Sequence, residues 1–481
     1  MGSYKLITRY LLWVLLVGTY QVEAQPSKVP RPNVIFILAD DMGWGDAGCY
    51  GNRRFKTPAI DRLAREGRLF TEFYVNGSVC SPSRAAFLTG RYPARDSIHG
   101  HLATPEANQQ RGMANYLNPS LPTLPGLLRQ AGYATAQIGK WHLGHSPDAP
   151  LPGSYGNEYF ITNTSRDTAD FDLWAPANRP RATGMVVDEA LGFIEKHHPA
   201  RPFYVNMWLV DPHAVLAPSE EQLREFENGA SAKPYARKHY QAEIPFYGAP
   251  QVYFAAMTEM DRQIGRLIDR LVQLGVYENT ILIFSSDNGP EDMAVENAAH
   301  SAAGSNGPFR GRKRSLYEGG IRVPFIVKWS GKVPAGTIDS TTVVSGVDLL
   351  PSVLRLCGVS QPSTLAIDGE DLSAAWLGKP TPRRRPLCWE WRYAIPGHVL
   401  DRSPQLAIRD QDWKLLMNPD RSRVELYHLR QDPSELRNRA AEEPKVTQRL
   451  MKYLLDWHKT LPAGPVDASV GKNDYPWPGR K

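Results

Sequence analysis

The sequence is poor in cysteine, with 4 in 481 residues. That excludes a small disulfide-stapled scaffold, and a chain of this length does not need bridges to fold. Cys49, Cys80, Cys357 and Cys388 match no zinc-ligand spacing. One bridge is open, between Cys357 and Cys388. An excess of one charge sign is also lacking: 56 Lys and Arg stand against 50 Asp and Glu, a formal net charge of +6. Such a mild basic balance favours small anionic substrates. There is no basic stripe interleaved with aromatics and no nucleic-acid motif, so nucleic acid is not an expected partner. No internal repeat is found. Long apolar runs are scarce too. The stretch Tyr10 to Gly18 is too short to span a bilayer. Lys5 and Arg9 precede it and Val22-Glu23-Ala24 follows, the layout of an export signal cut after Ala24. No later segment is long and apolar enough to span, so no transmembrane span is expected in the mature chain.

What is present describes a globular chain, 42% hydrophobic and 22% charged. Its length suits one large domain plus a smaller one. The 40 prolines and 39 glycines point to many loops, which suits a scaffold carrying its site on loops. Val34 to Ala39 (VIFILA) is a continuous apolar run, as expected of a strand buried on both faces. Tyr133–Ile138, Phe203–Val210, Thr280–Ser285 and Pro324–Val327 read the same way. Between them, Gln251–Leu274 places Met257, Met260, Ile264, Leu267, Ile268 and Leu271 on one helical face. Thr183–His197 is a second amphipathic helix. Strands alternating with helices predict an α/β fold with a mostly parallel sheet between helices. After about residue 335 the texture changes. A helix over Val343–Leu356 returning to the sheet, short strands at Leu406–Ile408 and Trp413–Met417, and a helix from Pro444 to Leu461 predict a smaller α+β unit. The expected division is 1–24 for the signal, 25–335 for the large domain and 336–481 for the smaller one, with a loosely held tail from Pro462.

Polar residues follow the predicted strands: Asp40 and Asp41, Lys140 and His142, Asp211 and His213, Asp287 and Asn288. In an open parallel sheet these positions share the carboxyl edge, where ligands bind. A lone Asp-Asp pair after a strand is most often a cap or turn. A second acidic-amide pair at a matching edge turns the reading towards a cation site. Asp40, Asp41, Asp287 and Asn288 offer only oxygen donors, which suit calcium or magnesium better than zinc. In Cys80-Ser81-Pro82-Ser83-Arg84, Pro82 suits a first helical turn, placing Cys80 just before a helix N-terminus, where free N–H groups favour an anion. Arg84 adds a guanidinium fork for an oxyanion.

Cys80-x-Pro82-x-Arg84 with Leu88-Thr89-Gly90-Arg91 resembles the signature of the type I sulfatases. Asn33 to Gly45 resembles their first metal motif, Gly139 to Gly144 (GKWHLG) their second signature, and Asp287-Asn288-Gly289 their second metal motif. Gly311-Arg312-Lys313 through Glu318-Gly319-Gly320 to Pro324 resembles their lysine segment. Leu426 to Leu429 with Asp432-Pro433 resembles their C-terminal domain. The subgroup it resembles is the arylsulfatase A and N-acetylgalactosamine-6-sulfatase type. The resemblance spans nearly the whole mature chain. It implies an alkaline-phosphatase-like large domain and a short antiparallel sheet in the smaller one.

It also implies hydrolysis of sulfate esters on a sulfated saccharide or an aryl group, by a formylglycine that a formylglycine-generating enzyme makes from Cys80. Asp40, Asp41, residue 80, Asp287 and Asn288 are then expected to hold calcium, with magnesium the alternative. Arg84 and Lys140 support the nucleophile and the carboxylates, and His142 is the base for elimination. His213 and Lys313 bind sulfate and assist the leaving oxygen. Arg310, Arg312 and Arg314 rival Lys313, and the Gly311-x-Lys313 register favours Lys313. His145 and His300 are the first candidates for sugar contacts, with His101, Arg53 and Arg54 behind them. Two alternatives stay open: a phosphate mono- or diester hydrolase of the same superfamily, and a non-catalytic sulfoglycan-binding relative. Oligomeric state is not legible.

Overall fold

The run VIFILA forms most of β1 (Asn33–Ala39), and all of its residues are buried. Val34, Phe36 and Leu38 join one hydrophobic cluster; Ile35, Ile37 and Ala39 join another. Alternation across two covered faces is why the run is apolar throughout. Each fully buried side chain of this kind contributes about 1.5–3 kcal/mol. The computed structural model describes residues 31–144, 146–163, 171–226, 248–295 and 300–472. The expected signal segment and His145 lie outside them.

In chain order β2 (Arg68–Phe70), β3 (Phe73–Tyr74), β4 (Ala134–Gly139), β5 (Tyr159–Thr162) and β6 (Phe203–Trp208) follow. Then come β7 (Thr280–Ser286), β8 (Phe325–Lys328), β9 (Thr337–Asp339) and β10 (Val344–Ser345). The large sheet has the order β5-β4-β6-β1-β7-β8-β2-β9. Its half from β5 to β7 is parallel. The expected strand at Pro324–Val327 is β8, and it runs antiparallel to both β7 and β2. The short β3 and β10 pair with each other, apart from this sheet. The helix Ala249–Gln273 buries Met257, Met260, Ile264, Leu267, Ile268 and Leu271 on one side of the sheet, beside the helix Ala182–His197. The helices Cys80–Thr89 and Leu349–Leu356 contribute to the cluster on the other side.

The helix expected over Val343–Leu356 begins late. Val344 and Ser345 form β10, Gly346–Asp348 is a single 3-10 turn, and the α-helix starts at Leu349. Asp348 explains this: its carboxylate accepts from Ser345 N at 2.7 Å and forks with Arg383 of the proline-rich turn.

A second sheet is antiparallel in the order β11 (Leu387–Glu390), β12 (Leu406–Asp410), β13 (Trp413–Met417) and β14 (Glu425–His428). The helix Pro444–His458 packs Leu450, Leu454 and Trp457 into its core. Ion pairs tie this sheet to the Glu318-Gly319-Gly320 turn and to Glu72, between β2 and β3. Lys414 Nζ lies 2.9 Å from both Glu318 and Glu435, and Arg409 lies 2.6 Å from Glu72. Removing one partner of such a pair strands the other in a low dielectric.

The expectation for the tail fails over residues 462–472, with 473–481 outside the described residues, and the open question of a bridge is answered. Residues 462–472 are not loosely held: Asp467 N donates to Arg392 O, Asn418 Nδ2 donates to Gly471 O, and Val470 is buried. Cys357 and Cys388 are not bridged; all four cysteines are free, and these two lie in different hydrophobic clusters. Among the described residues, no helix is long and apolar enough to cross a membrane.

Candidate active site

Strands β4, β6, β1 and β7 are adjacent and parallel, so the residues after each meet at one edge. Main-chain bonds lace these loops together: Asp40 N to Asp211 O at 3.0 Å, Lys140 N to Trp208 O at 2.8 Å, and Asp287 N to Ala39 O at 3.2 Å. Asp41 has φ +69°, a left-handed conformation that Asp tolerates better than most residues. Its N–H donates to Asp287 Oδ1 at 3.2 Å, and its Oδ1 accepts from Asn288 Nδ2 at 2.7 Å. Lys140 Nζ is 2.6 Å from Asp40 Oδ2. Gly289 is a close-approach position: a Cβ there would lie 1.9 Å from Gly319 O. The motif Asp287-Asn288-Gly289 is thereby pressed onto the Glu318-Gly319-Gly320 turn, with Gly289 N donating to Gly320 O.

Cys80 is the first residue of its helix, one position further in than the sequence suggests, after the extended Val79. Pro82 sits in the first turn, and Gly90 in the left-handed region ends the helix. Ser81 Oγ accepts from Leu102 N at 3.0 Å, and Ser83 Oγ donates to Gly77 O at 2.9 Å; both hold Cys80 in place. Arg84 is fully buried. Its Nε and Nη2 donate to Asp287 Oδ2 at 3.0 and 2.7 Å, and Nη1 donates to Lys140 O at 3.2 Å. The fork thus meets the Asp287 carboxylate, the supporting part of the role expected of Arg84. Donor atoms of Asp40, Cys80 and Asp287 lie within 4.8 Å of one another, as do those of Asp40, Asp41 and His213.

His213 and Lys313 approach Asp41 from other loops. Lys313 Nζ is 2.7 Å from Asp41 Oδ2 and 3.3 Å from Glu291 Oε2. His213 Nε2 lies 3.7 Å from Asp41 Oδ2, and Nδ1 donates to Ala214 O. Asp211 does not face the centre. It binds Arg179 and Thr183, and Arg179 in turn holds the carbonyls of His213 and Val215. His142 also has a left-handed φ, +55°. Its Nε2 faces Leu102 O at 3.0 Å. A carbonyl only accepts, so Nε2 carries the proton and Nδ1 presents a lone pair. That Nδ1 has no hydrogen-bond partner among the described residues.

Electrostatics set the protonation states. Burial pushes Asp40 up, but Lys140, with His213, Arg84 and Lys313, outweighs it and holds the carboxyl well below its usual range. Burial and then the charge of Asp40 push Asp287 well up, against Arg84. Burial, followed by Lys140 and Arg84, holds His142 well below its usual range. Burial and Lys313 bring His213 down to about 4. Lys313 is raised: burial lowers it, but Asp41 and Glu291 outweigh that. The histidines are thus neutral and the lysine charged near pH 7.

The residues fit a hard divalent cation. Asp40 Oδ1 and Asn288 Oδ1 are buried acceptors without a hydrogen-bond partner among the described residues. Two carboxylates that cannot both ionise on the strength of nearby cations are stabilised together by a dication. The donors from Asp40, Asp41, Asp287 and Asn288 are all oxygen.

Two predicted contacts look different in place. His300 is buried, beside Ser301, whose Oγ donates to Pro212 O. Arg54 bonds Ala303 O and Asp46, while Arg53 is exposed. Among the rivals of Lys313, Arg310 and Arg312 bond backbone carbonyls, and Arg314 forks onto Glu291. Glu291 was not singled out from the sequence. Burial would raise it, but Lys313 and Arg314 hold it at about 2. Its signal was an acid two residues beyond the Asp287-Asn288-Gly289 motif, answering an unexplained run of cations.

Two family models match the chain: Sulfatase over residues 32–359, and N-sulphoglucosamine sulphohydrolase, C-terminal, over residues 306–460. The N-acetylgalactosamine-6-sulfatase of Canis lupus familiaris is 35% identical over 394 residues, 76% of this chain and 70% of the relative. Arylsulfatase G of Mus musculus is 34% identical over 389 residues, 73% of this chain and 70% of the relative. Among solved structures, Ps i-CgsB in complex with k-i-k-neocarrahexaose is similar at TM-score 0.74 and 25% identity, over 92% of this chain and 96% of that one. PsFucS1 sulfatase from Pseudoalteromonas sp. is similar at TM-score 0.69 and 26% identity, over 91% and 92%. The first family model covers every strand end that builds the edge described above, and the chain belongs to the sulfatase family.

Proposed function

We propose that this sulfatase removes sulfate from a sulfated saccharide, using a formylglycine made from Cys80 and a divalent cation. The observation that carries this is the position of Cys80 Sγ, within 4.8 Å of donor oxygens of Asp40 and Asp287 at a buried helix start. A sulfur is the odd donor beside carboxylates and an amide. A formylglycine-generating enzyme, with dioxygen as the oxidant, would break the Cβ–S bond of Cys80 and leave an aldehyde oxygen in place of sulfur, completing a hard set that suits calcium, with magnesium the alternative. As its hydrate, the formylglycine supplies one hydroxyl for attack on sulfur and a second for expelling sulfate. The cation, held by Asp40, Asp41, Asp287 and Asn288, supplies Lewis acidity at the sulfate oxygens. Residues 1–24 act as an export signal in this reading.

The side chains of the chain do the rest. Arg84 and Lys140 keep Asp287 and Asp40 in place through the bonds given above. His142 Nδ1, a buried lone pair without a hydrogen-bond partner among the described residues, is the base for the elimination step in this reading. Lys313 Nζ is the permanent cation that faces the leaving oxygen and the sulfate. His213 Nε2 starts unprotonated; an arriving sulfate opposes the effect of Lys313 and raises its proton affinity, so that it then donates to the anion.

The register of the lysine segment is testable on a small aryl sulfate. Lys313→Ala lowers kcat by on the order of 10²–10³, the loss typical of one preorganised donor. Arg314→Ala, which touches Glu291 and not Asp41, lowers it by less than about tenfold on the same scale. Equal losses in steady-state kinetics contradict the role given to Lys313. A phosphate ester with the same aryl leaving group is the control for reaction class, and faster turnover of the phosphate than of the sulfate overturns the proposed function.

A further inference from the structure

A cavity of about 400 Å³ lies beside the reacting centre. That volume falls within the range of small-ligand sites. One wall comes from residues next to those already described. His101 precedes Leu102, whose carbonyl faces His142 and whose N–H donates to Ser81 Oγ. Arg314 follows Lys313, and its N–H donates to Ser78 O at 2.8 Å. The opposite wall comes from the C-terminal part of the chain, including Trp391, Tyr393 and Asp467.

The lining is cationic and aromatic. Asp467 is its one carboxylate among the described residues, and that carboxylate accepts from Ser469 N and Oγ at 2.8 and 2.7 Å. Arg314 is spent on Glu291, which also faces Lys313, so the cation this lining leaves without a carboxylate among the described residues is Arg111. Its guanidinium lies 5.6 Å from the Tyr393 ring centroid, and Nη1 donates to His101 Nε2 at 3.3 Å. Tyr393 OH donates back to Arg111 O at 3.3 Å. Gly100 permits this arrangement, because a Cβ there would lie 2.7 Å from the Tyr393 ring. An arginine held over an aromatic face keeps donor positions for an oxyanion while losing little freedom on binding one. The buried Trp391 meets Tyr393 edge to face at 5.4 Å and braces it, and the partly exposed Tyr393 ring offers an apolar surface of the kind a sugar ring's C–H face covers.

We propose that this cavity seats the saccharide beside the reacting sulfate, and that Arg111 binds a second oxyanion on that glycan, a uronate carboxylate or another sulfate. This rests on the sulfatase reading and narrows it: the preferred substrate is a polyanionic saccharide. Arg111 is then a specificity residue, outside the reacting set, and a small aryl sulfate does not reach it.

The test uses the full chain with residue 80 verified as converted, hydrolysing 4-nitrophenyl sulfate. Tetrasaccharides of chondroitin sulfate and of carrageenan are added as inhibitors, each intact and with one class of anion removed. Carboxyl reduction removes the uronate, and partial desulfation removes the neighbouring sulfate, so the two arms separate the sources. The expected result is that at least one intact oligosaccharide inhibits about tenfold better than its neutralised form, the scale of one charge-assisted hydrogen bond. Arg111→Ala and Arg111→Gln erase that difference and leave aryl sulfate kcat/KM within about twofold, because neither touches the centre. The proposal is overturned if neutralised forms inhibit equally well, if both variants keep the difference, or if no oligosaccharide inhibits. Failure to hydrolyse the aryl sulfate at all instead marks failure of the sulfatase reading, and the second-oxyanion site falls with it.

Discussion

A Cys80→Ala protein folds like its parent and loses sulfate ester hydrolysis by a factor on the order of 10⁴ or more, the scale of removing a covalent nucleophile. The two halves of this result have separate causes. Alanine is a good first-turn residue and leaves only the small volume of the functional group at residue 80, a cost of about 1 kcal/mol at a buried site. The bonds that hold the segment, from Ser81, Ser83 and the Gly90 cap, do not involve the thiol. The chemistry has no substitute, because alanine carries no group that can attack sulfur. Thermal unfolding and aryl sulfate turnover read the two halves. A variant that keeps activity within about tenfold of the parent excludes residue 80 as nucleophile.

Arg84→Ala is expected to cost about 3–5 kcal/mol of stability as well as activity, the scale of breaking a buried ion pair. One guanidinium meets several demands at once. It forks onto Asp287, donates to the Lys140 carbonyl, and lies 5.1 Å from the ring centroid of Trp208. Its removal leaves Asp287 buried beside Asp40 without its cation, so the carboxyl rises further and holds a divalent ion less tightly. Arg84→Lys restores the charge but not the fork, and recovers only part of the loss. Denaturant unfolding with calcium and with chelator measures both effects. A loss below about 1 kcal/mol, with unchanged response to calcium, contradicts the arrangement of the cluster.

Four strands of the parallel half, β4, β6, β1 and β7, were legible because they are long and buried on both faces, whereas the four-residue, half-buried β5 was not. β1 and β7 are seven-residue runs, and both are wholly buried. Once those runs are placed in parallel, Asp40, Lys140, His213 and Asp287 must share an edge, whatever their separation in sequence. Strands of two or three residues such as β3, β9 and β10 show no periodicity to read. The direction of β8 was not legible either, since a buried run looks the same in both orientations. Pairings across long separations were invisible as well. Arg84 and Asp287 stand 203 residues apart, and Tyr393 and Arg111 stand 282 apart. Composition marks such charges as solvated until the fold supplies a partner. The late start of the helix at Leu349 turns in part on Asp348 holding Arg383, a contact only the folded chain displays.

Cys80 is the residue on which the proposed function turns, and its chemical state in active enzyme is directly measurable. Mass spectrometry of the peptide carrying residue 80, taken from protein with demonstrated sulfate ester turnover, is the decisive measurement. The predicted result is an aldehyde in place of the thiol, with sulfur and hydrogen lost and oxygen gained, in a fraction that tracks specific activity across preparations. Active enzyme that retains an intact cysteine at position 80 would contradict it.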